Sequence, residues 1–368
     1  MARRNRFPAA GIALAVYTMT IFSVAAAPLP SESATLSLVE SDAAPNLYIR
    51  TIWTKALDAA ARNDIATLSE EIEAGADLNA ADGDGNSPLM IAAAAGHVSA
   101  VRRLLEAGVD VGLANARGMT PLMQAASHGH GAIVRRLIAG GAAVEARTKD
   151  GTSALGLAAR GCYDATIDAL VKAGAHTANN LTNGQTALMI AAAECPASIV
   201  ELLVKAGANV NLADAAGRSA LWQAADAGNL DGALALIQHG AKIDQVDKAG
   251  ETALMRAAMR GHGKVVQLLA TKGADVNLAS RDGNTALILA ARTDADDHIR
   301  TLIARGAKID SRNKLGFSAL MMAAGLGQKT VVATLLELGA DRKLRNSRRE
   351  QARDLAIAAG HIELAKSI

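Results

Sequence analysis

Aromatic residues are nearly missing from this sequence: Phe, Trp and Tyr together make up 2% of 368 residues. A chain so poor in large rings cannot fill a broad aromatic core. Its apolar half must pack through Ala, Leu, Val, Ile and Met, and small side chains let short helices approach closely. An excess of one charge sign is missing too, with 38 Lys and Arg against 36 Asp and Glu. Without residues 1–27, which carry Arg3, Arg4 and Arg6 and no acid, the balance becomes 35 to 36. A nearly neutral chain has no general attraction for polyanions, so nucleic acid is not an expected partner. Cysteine is scarce: Cys162 and Cys195 form no Cys-x-x-Cys, which argues against a redox enzyme. Walker loop, dinucleotide fingerprint, nucleophile elbow and zinc signature are all absent, so no enzyme, metal or cofactor is expected.

The N-terminus reads as a targeting segment. Three arginines precede an apolar run from Phe7 to about Ala27, which closes on small residues from Ser23 onward. That is the layout of a secretory signal peptide over residues 1–27. Pro28 disfavours a cut after Ala27, so cleavage is expected after Ala25 or Ala26. An uncleaved anchor is the alternative, because the run is nearly long enough to span a bilayer. With cleavage, no membrane insertion is expected. Residues 28–50, rich in Ser, Ala and Pro without periodicity, read as a flexible linker.

From residue 51 onward the chain repeats itself every 33 residues without insertion. Gly75, Gly108, Gly141, Gly174, Gly207, Gly240, Gly273, Gly306 and Gly339 form one comb. Gly85, Gly118, Gly151, Gly184, Gly217, Gly250, Gly283 and Gly316 form a second. Two residues after each of these eight stands Ser or Thr, placed to cap a helix by accepting a backbone N–H. A Leu column from Leu89 to Leu320 and paired alanines such as Ala92-Ala93 recur at helical spacing and face inward. Gly96, Gly129, Gly228 and Gly261 end the first helix, and a second follows with residues such as Val101, Leu104 and Leu105. A short extended stretch such as Ala274–Asn277 is expected before the next turn.

Two helices and a turn in 33 residues, with Ser87-Pro88-Leu89, Thr120-Pro121-Leu122 and Gly96-His97, resemble ankyrin repeats. The resemblance covers residues 51–368 and implies an all-α solenoid of about ten repeats with short turn tips. Residues 51–83, supplying Trp53, Leu57 and Ala60, read as an N-terminal capping repeat. Residues 84–345 make eight full repeats, and 346–368 a C-terminal cap in which Arg349 replaces the turn glycine. The family's His after Thr-Pro-Leu is replaced here by Met90, Met123, Met189, Met255, Met321 or Trp222.

Departures from the columns are where special roles can be sought. His97, His130, His262 and His361 share one loop position, where bonding to nearby backbone is expected. His128 and His130 could begin a metal site but lack a third ligand. Asp294, Asp296, Asp297 and His298 invite a calcium reading, against which stands a helix N-terminus that simply favours acids. Cys162 and Cys195 occupy one column position in adjacent repeats. Neighbouring repeats stack about 8–10 Å apart, too far for an easy bridge. Gly161, Glu194 and Pro196 alter both loops enough that a disulfide stays open as a reading.

The resemblance implies partner docking on the turn tips and the exposed, concave side of the first helices. Carried onto this chain, those columns include Arg117, Met119, Arg160, Gln185, Arg218, Glu251, Met259, Arg260, Asn284 and Arg292. They also include Leu315, Phe317 and Leu326, an apolar group in one repeat, which either forms a hot spot or packs on the cap. Mixed charge favours a protein partner over a polyanion. The expected function is therefore a monomeric exported scaffold or adaptor, periplasmic if the source is Gram-negative, with a secreted effector that engages host proteins as the alternative.

Overall fold

The computed structural model describes residues 54–178, 183–294 and 296–368. The expected signal peptide, linker and Trp53 lie outside them. Twenty helices follow one another among the described residues. They run in ten pairs, from Lys55–Arg62 with Ile65–Glu73 to Ala352–Ala358 with Ile362–Ser367. First helices stack on first helices of the neighbouring repeats and second on second. No β-strand occurs among the described residues; three isolated bridges, such as Arg147 with Ser153, flank turns.

The columns explain the helices. In all eight full repeats the Ser or Thr hydroxyl accepts the backbone N–H three residues on, at 3.2–3.4 Å. Pro88 and Pro121 stand at the first helical position, where a missing N–H costs nothing. Every member of the Leu column and the alanine pairs beside it are buried. Alanine at the pair lets a first helix meet both its own second helix and the next repeat, so one apolar core runs the length of the array.

Three sets of polar bonds tie each repeat to the next. Tip amides donate to the preceding tip: Lys149 to the Arg117 carbonyl, Lys248 to Ala216, Arg281 to Ala249 and Lys314 to Asp282, at 2.8–3.1 Å. A second set starts where an extended stretch was expected. The chain there folds into an Asx turn, with the Asn277 N–H on the Asp275 carboxylate at 2.9 Å. Asn277 then accepts the Lys308 N–H at 2.9 Å, as Asn211 does from Lys242 and Asn79 from Asp110. The third set corrects the expectation of local histidine bonds. His97, His130 and His262 bond through Nε2 to Ala61, Ala94 and Asp226 carbonyls 36 residues earlier, at 2.9–3.0 Å. His130 and His262 reach back across Gly96 and Gly228, the helix-ending glycines of the preceding repeats, where a Cβ would meet the ring.

Cys162 and Cys195 are joined by a disulfide with Cα atoms 5.4 Å apart. The expected spacing of stacked repeats is not kept here, and backbone conformation is the reason. Cys162 lies in the left-handed region at φ 54°, whereas Cys195 is extended at φ −97°. Two residues of one column thus leave their helices in different directions and converge. Asn229 pins the second loop, donating to the Ala192 and Cys195 carbonyls at 3.0 and 2.8 Å.

Candidate interaction surface

The expected surface residues fall into three groups. The first lines an open groove of about 700 Å³ beside the tips at residues 84, 117 and 150. Arg117, Met119 and Arg160 meet there, with Lys149, Asp150, Gln124 and Leu157. A hydrogen bond from the Thr148 hydroxyl holds the Asp150 carboxyl below its ordinary value. Ser127 and His128 also line the groove, their Oγ and Nδ1 3.0 Å apart. Both turn to the Gln124 carbonyl at 2.9 Å, so the hydroxyl proton is directed to a backbone oxygen rather than to the ring.

The second group is built around Trp222. Its indole is 4% exposed, and its Nε1 has no hydrogen-bond partner among the described residues. The Arg218 and Arg256 guanidiniums lie 5.4 and 4.8 Å from the ring centroid, within cation–π range. Both are fixed from behind. Arg218 donates to the fully buried Asp214 carboxylate at 2.8 Å. Arg256 and Arg260 converge on Asp226, and Glu251 approaches Arg256 at 3.8 Å. Met259 touches the Arg256 guanidinium through its sulfur at 3.9 Å. Four expected residues, Arg218, Glu251, Met259 and Arg260, thus share one constellation.

Its two outer carboxyls are driven apart. Burial alone would raise Asp226, but the hydrogen bond from Arg260 and the charge and hydrogen bond of Arg256 outweigh it and hold the carboxyl below its ordinary value. Burial pushes Glu251 up, opposed by Arg256 and reinforced by neighbouring acids. Arg256 itself was not among the expected residues. Its column holds Ile91, Gln124, Leu157, Ile190, Gln223, Leu289 and Met322 in the other full repeats, so it is the one charge in an otherwise uncharged column. That exception is the signal that could have found it.

The third group is not a single exposed cluster. Leu315 is 63% and Leu326 44% exposed, but Phe317 is half-buried and packs against the core. Its N–H donates to the Asn313 side chain at the base of the tip at 3.0 Å, the bond that Met119, Arg218 and Glu251 make in their own tips. Asn284 is engaged structurally, accepting the Asn313 amide at 2.9 Å. Gln185 bonds within its own tip to Asn183, while the exposed Arg292 gives its carbonyl to Gln328. Asp296 begins a helix and bonds Arg300 and Thr334, and His298 is buried. Among the described residues no group of three or more His, Cys, Asp or Glu side chains is placed to hold a metal ion.

The fold and these surfaces define a helical repeat solenoid that presents side chains from its tips and first helices. Comparison with family models gives the same class: matches described as "Ankyrin repeats (3 copies)" overlap from residue 56 to 313, and one described as "Ankyrin repeat" covers 315–347. The chain belongs to the ankyrin-repeat family, whose repeats act as protein-interaction scaffolds. No curated protein matches it.

Proposed function

We propose that this protein is an exported scaffold that holds a protein partner along its first helices and tips, centred on Trp222. The observation that carries the reading is the Trp222 constellation. Three arginines, an aromatic ring and two outer carboxyls are held in place by bonds within the array, so little side-chain freedom is lost on docking. Arg is also among the residues that dominate interface energies, and the buried Trp222 ring holds two of these arginines from beneath. Mixed charge in the constellation and in the groove beside the tips at 84–150 suits a partner with both signs rather than a polyanion.

Export rests on different support: the arginines and apolar run of residues 1–27, together with a disulfide, which persists in oxidising compartments. Fractionation of cells expressing the full chain tests it, and a chain found only in the reducing cytoplasm would sink it.

A photo-crosslinker placed at Met259 or Arg117 should capture the partner, whereas one at Arg135, exposed on a second helix, should not. Trp222→Met restores the residue most repeats carry at that position and should keep the fold while weakening capture. Equal capture from Arg135, or full capture by the Met variant, would overturn the assignment.

A further inference from the structure

The charges that balance overall are not balanced along the chain. Residues 63–101 contain seven acids and no Lys or Arg. Residues 342–349 contain Arg342, Lys343, Arg345, Arg348 and Arg349 and no acid. The tip turns Asn313–Gly316 and Asn346–Arg349, each closed by a backbone hydrogen bond, enclose an open recess of about 520 Å³. Arg312, Lys314 and Arg345 line it with Asn313, Asn346 and Ser347, and no carboxylate does. Its arginines are positioned by backbone: Arg312 donates to the Arg345 carbonyl at 3.4 Å and Arg345 to the Arg349 carbonyl at 2.8 Å. The nearby Glu350 carboxylate is taken up by the Asn346 amide at 2.8 Å and Asp341 by the Lys343 N–H at 2.7 Å. Beside Lys314, at the apex of its turn, stands Leu315, the most exposed large apolar side chain of the described residues.

We propose that the last two tips dock on an anionic phospholipid surface, with headgroup phosphates between Arg312, Lys314 and Arg345 and Leu315 at the acyl boundary. The recess supplies cations with unused donors for phosphate oxygens. Leucine at the apex selects among anions. A soluble polyanion offers no place for an apolar side chain, whereas a bilayer offers phosphate and hydrocarbon within one interfacial layer. The acid-only stretch at the other end is repelled by the same surface, so the array approaches by its C-terminal tips. No described helix is long and apolar enough to cross a membrane, and the docking is peripheral.

Flotation of the full chain with vesicles tests this. Phosphatidylcholine mixed with phosphatidylglycerol should retain it and pure phosphatidylcholine should not, with retention falling as salt rises. At about 1 kcal/mol per cation, Arg312→Ala with Arg345→Ala should weaken binding about thirtyfold. Leu315→Ser should weaken it about tenfold. Arg102→Ala with Arg135→Ala removes the same charge elsewhere and should change little. Far-UV circular dichroism checks that each variant is folded. Equal retention on both vesicle types, or an equal loss in the control pair, overturns the proposal. A Leu315→Ser variant that floats like the wild type overturns the placement of Leu315 at the acyl boundary, and with it the apolar contact that distinguishes a bilayer from a soluble anion.

Discussion

Arg349 takes the place of a turn glycine and adopts that glycine's conformation, at φ 64° against 79° for Gly316 one repeat earlier. A side chain in the left-handed region costs roughly 1–2 kcal/mol. Arg349→Gly should therefore raise stability by about 1 kcal/mol in urea unfolding, part of the gain being offset by the freer unfolded chain. At Trp222, acid should separate two carboxyls. The folded-state value of Asp226 is lowered, so its stabilisation is complete above 3.8 and is lost as pH falls below that, through the lower folded value. Glu251 has the opposite sign. Its folded value is raised above 4.5, so protonation on mild acidification favours the native state, and that contribution is absent at neutral pH. Asp226→Asn should flatten the loss of stability below pH 3.8, and Glu251→Gln should remove the component above 4.5; acid titrations followed by circular dichroism would check both. The sequence announced Trp222 and Arg349 as exceptions, since each breaks a column. It could not announce that Arg218 and Arg256 cover the indole, because that depends on how far two neighbouring repeats rotate against each other.

At the scale of the element, the repeated pair of helices was readable almost completely. Period, caps, inward leucines and turn glycines are local properties, and each appears in the sequence at its own position. What joins one pair to the next was less readable. A histidine after a glycine looks like a loop residue that satisfies its own backbone, yet its bond goes to a carbonyl 36 residues away. Asn229 and Gln328 bond backward from the same column with a different side chain. The requirement there is a reach and a donor, not a particular ring. His262→Ala should cost about 1 kcal/mol, the net worth of one such hydrogen bond, whereas His262→Asn should recover part of it. Amide exchange should localise the loss to the helices Ala220–Ala227 and Ala253–Arg260.

For the described residues as a whole, the main helix contacts lie within a repeat or between adjacent repeats, so stability is close to a sum of repeat and interface contributions. The Cys162–Cys195 disulfide is the one covalent link among these interfaces. It closes a loop of 33 residues, for which a chain-entropy account gives about 3–4 kcal/mol. Cys162→Ser with Cys195→Ser should lower unfolding stability by about 3 kcal/mol. Exchange should quicken most in the helices Ala154–Arg160 and Ala187–Glu194, which carry the two loops. The sequence supplied the pair and its column but argued the geometry from ideal stacking. A left-handed residue in one loop and an extended one in the other brought the backbones closer than that ideal allows.

The same link has a mechanical consequence. Held by its two ends, an array bonded only to nearest neighbours carries load in series and gives way one repeat at a time. With the bridge intact, the chain between the cysteines, which are 33 positions apart, cannot be drawn out, so the fully stretched chain should be shorter by about 110 Å than its reduced form. Force–extension traces with and without reductant would show that difference as one missing increment, in the middle of an otherwise regular staircase.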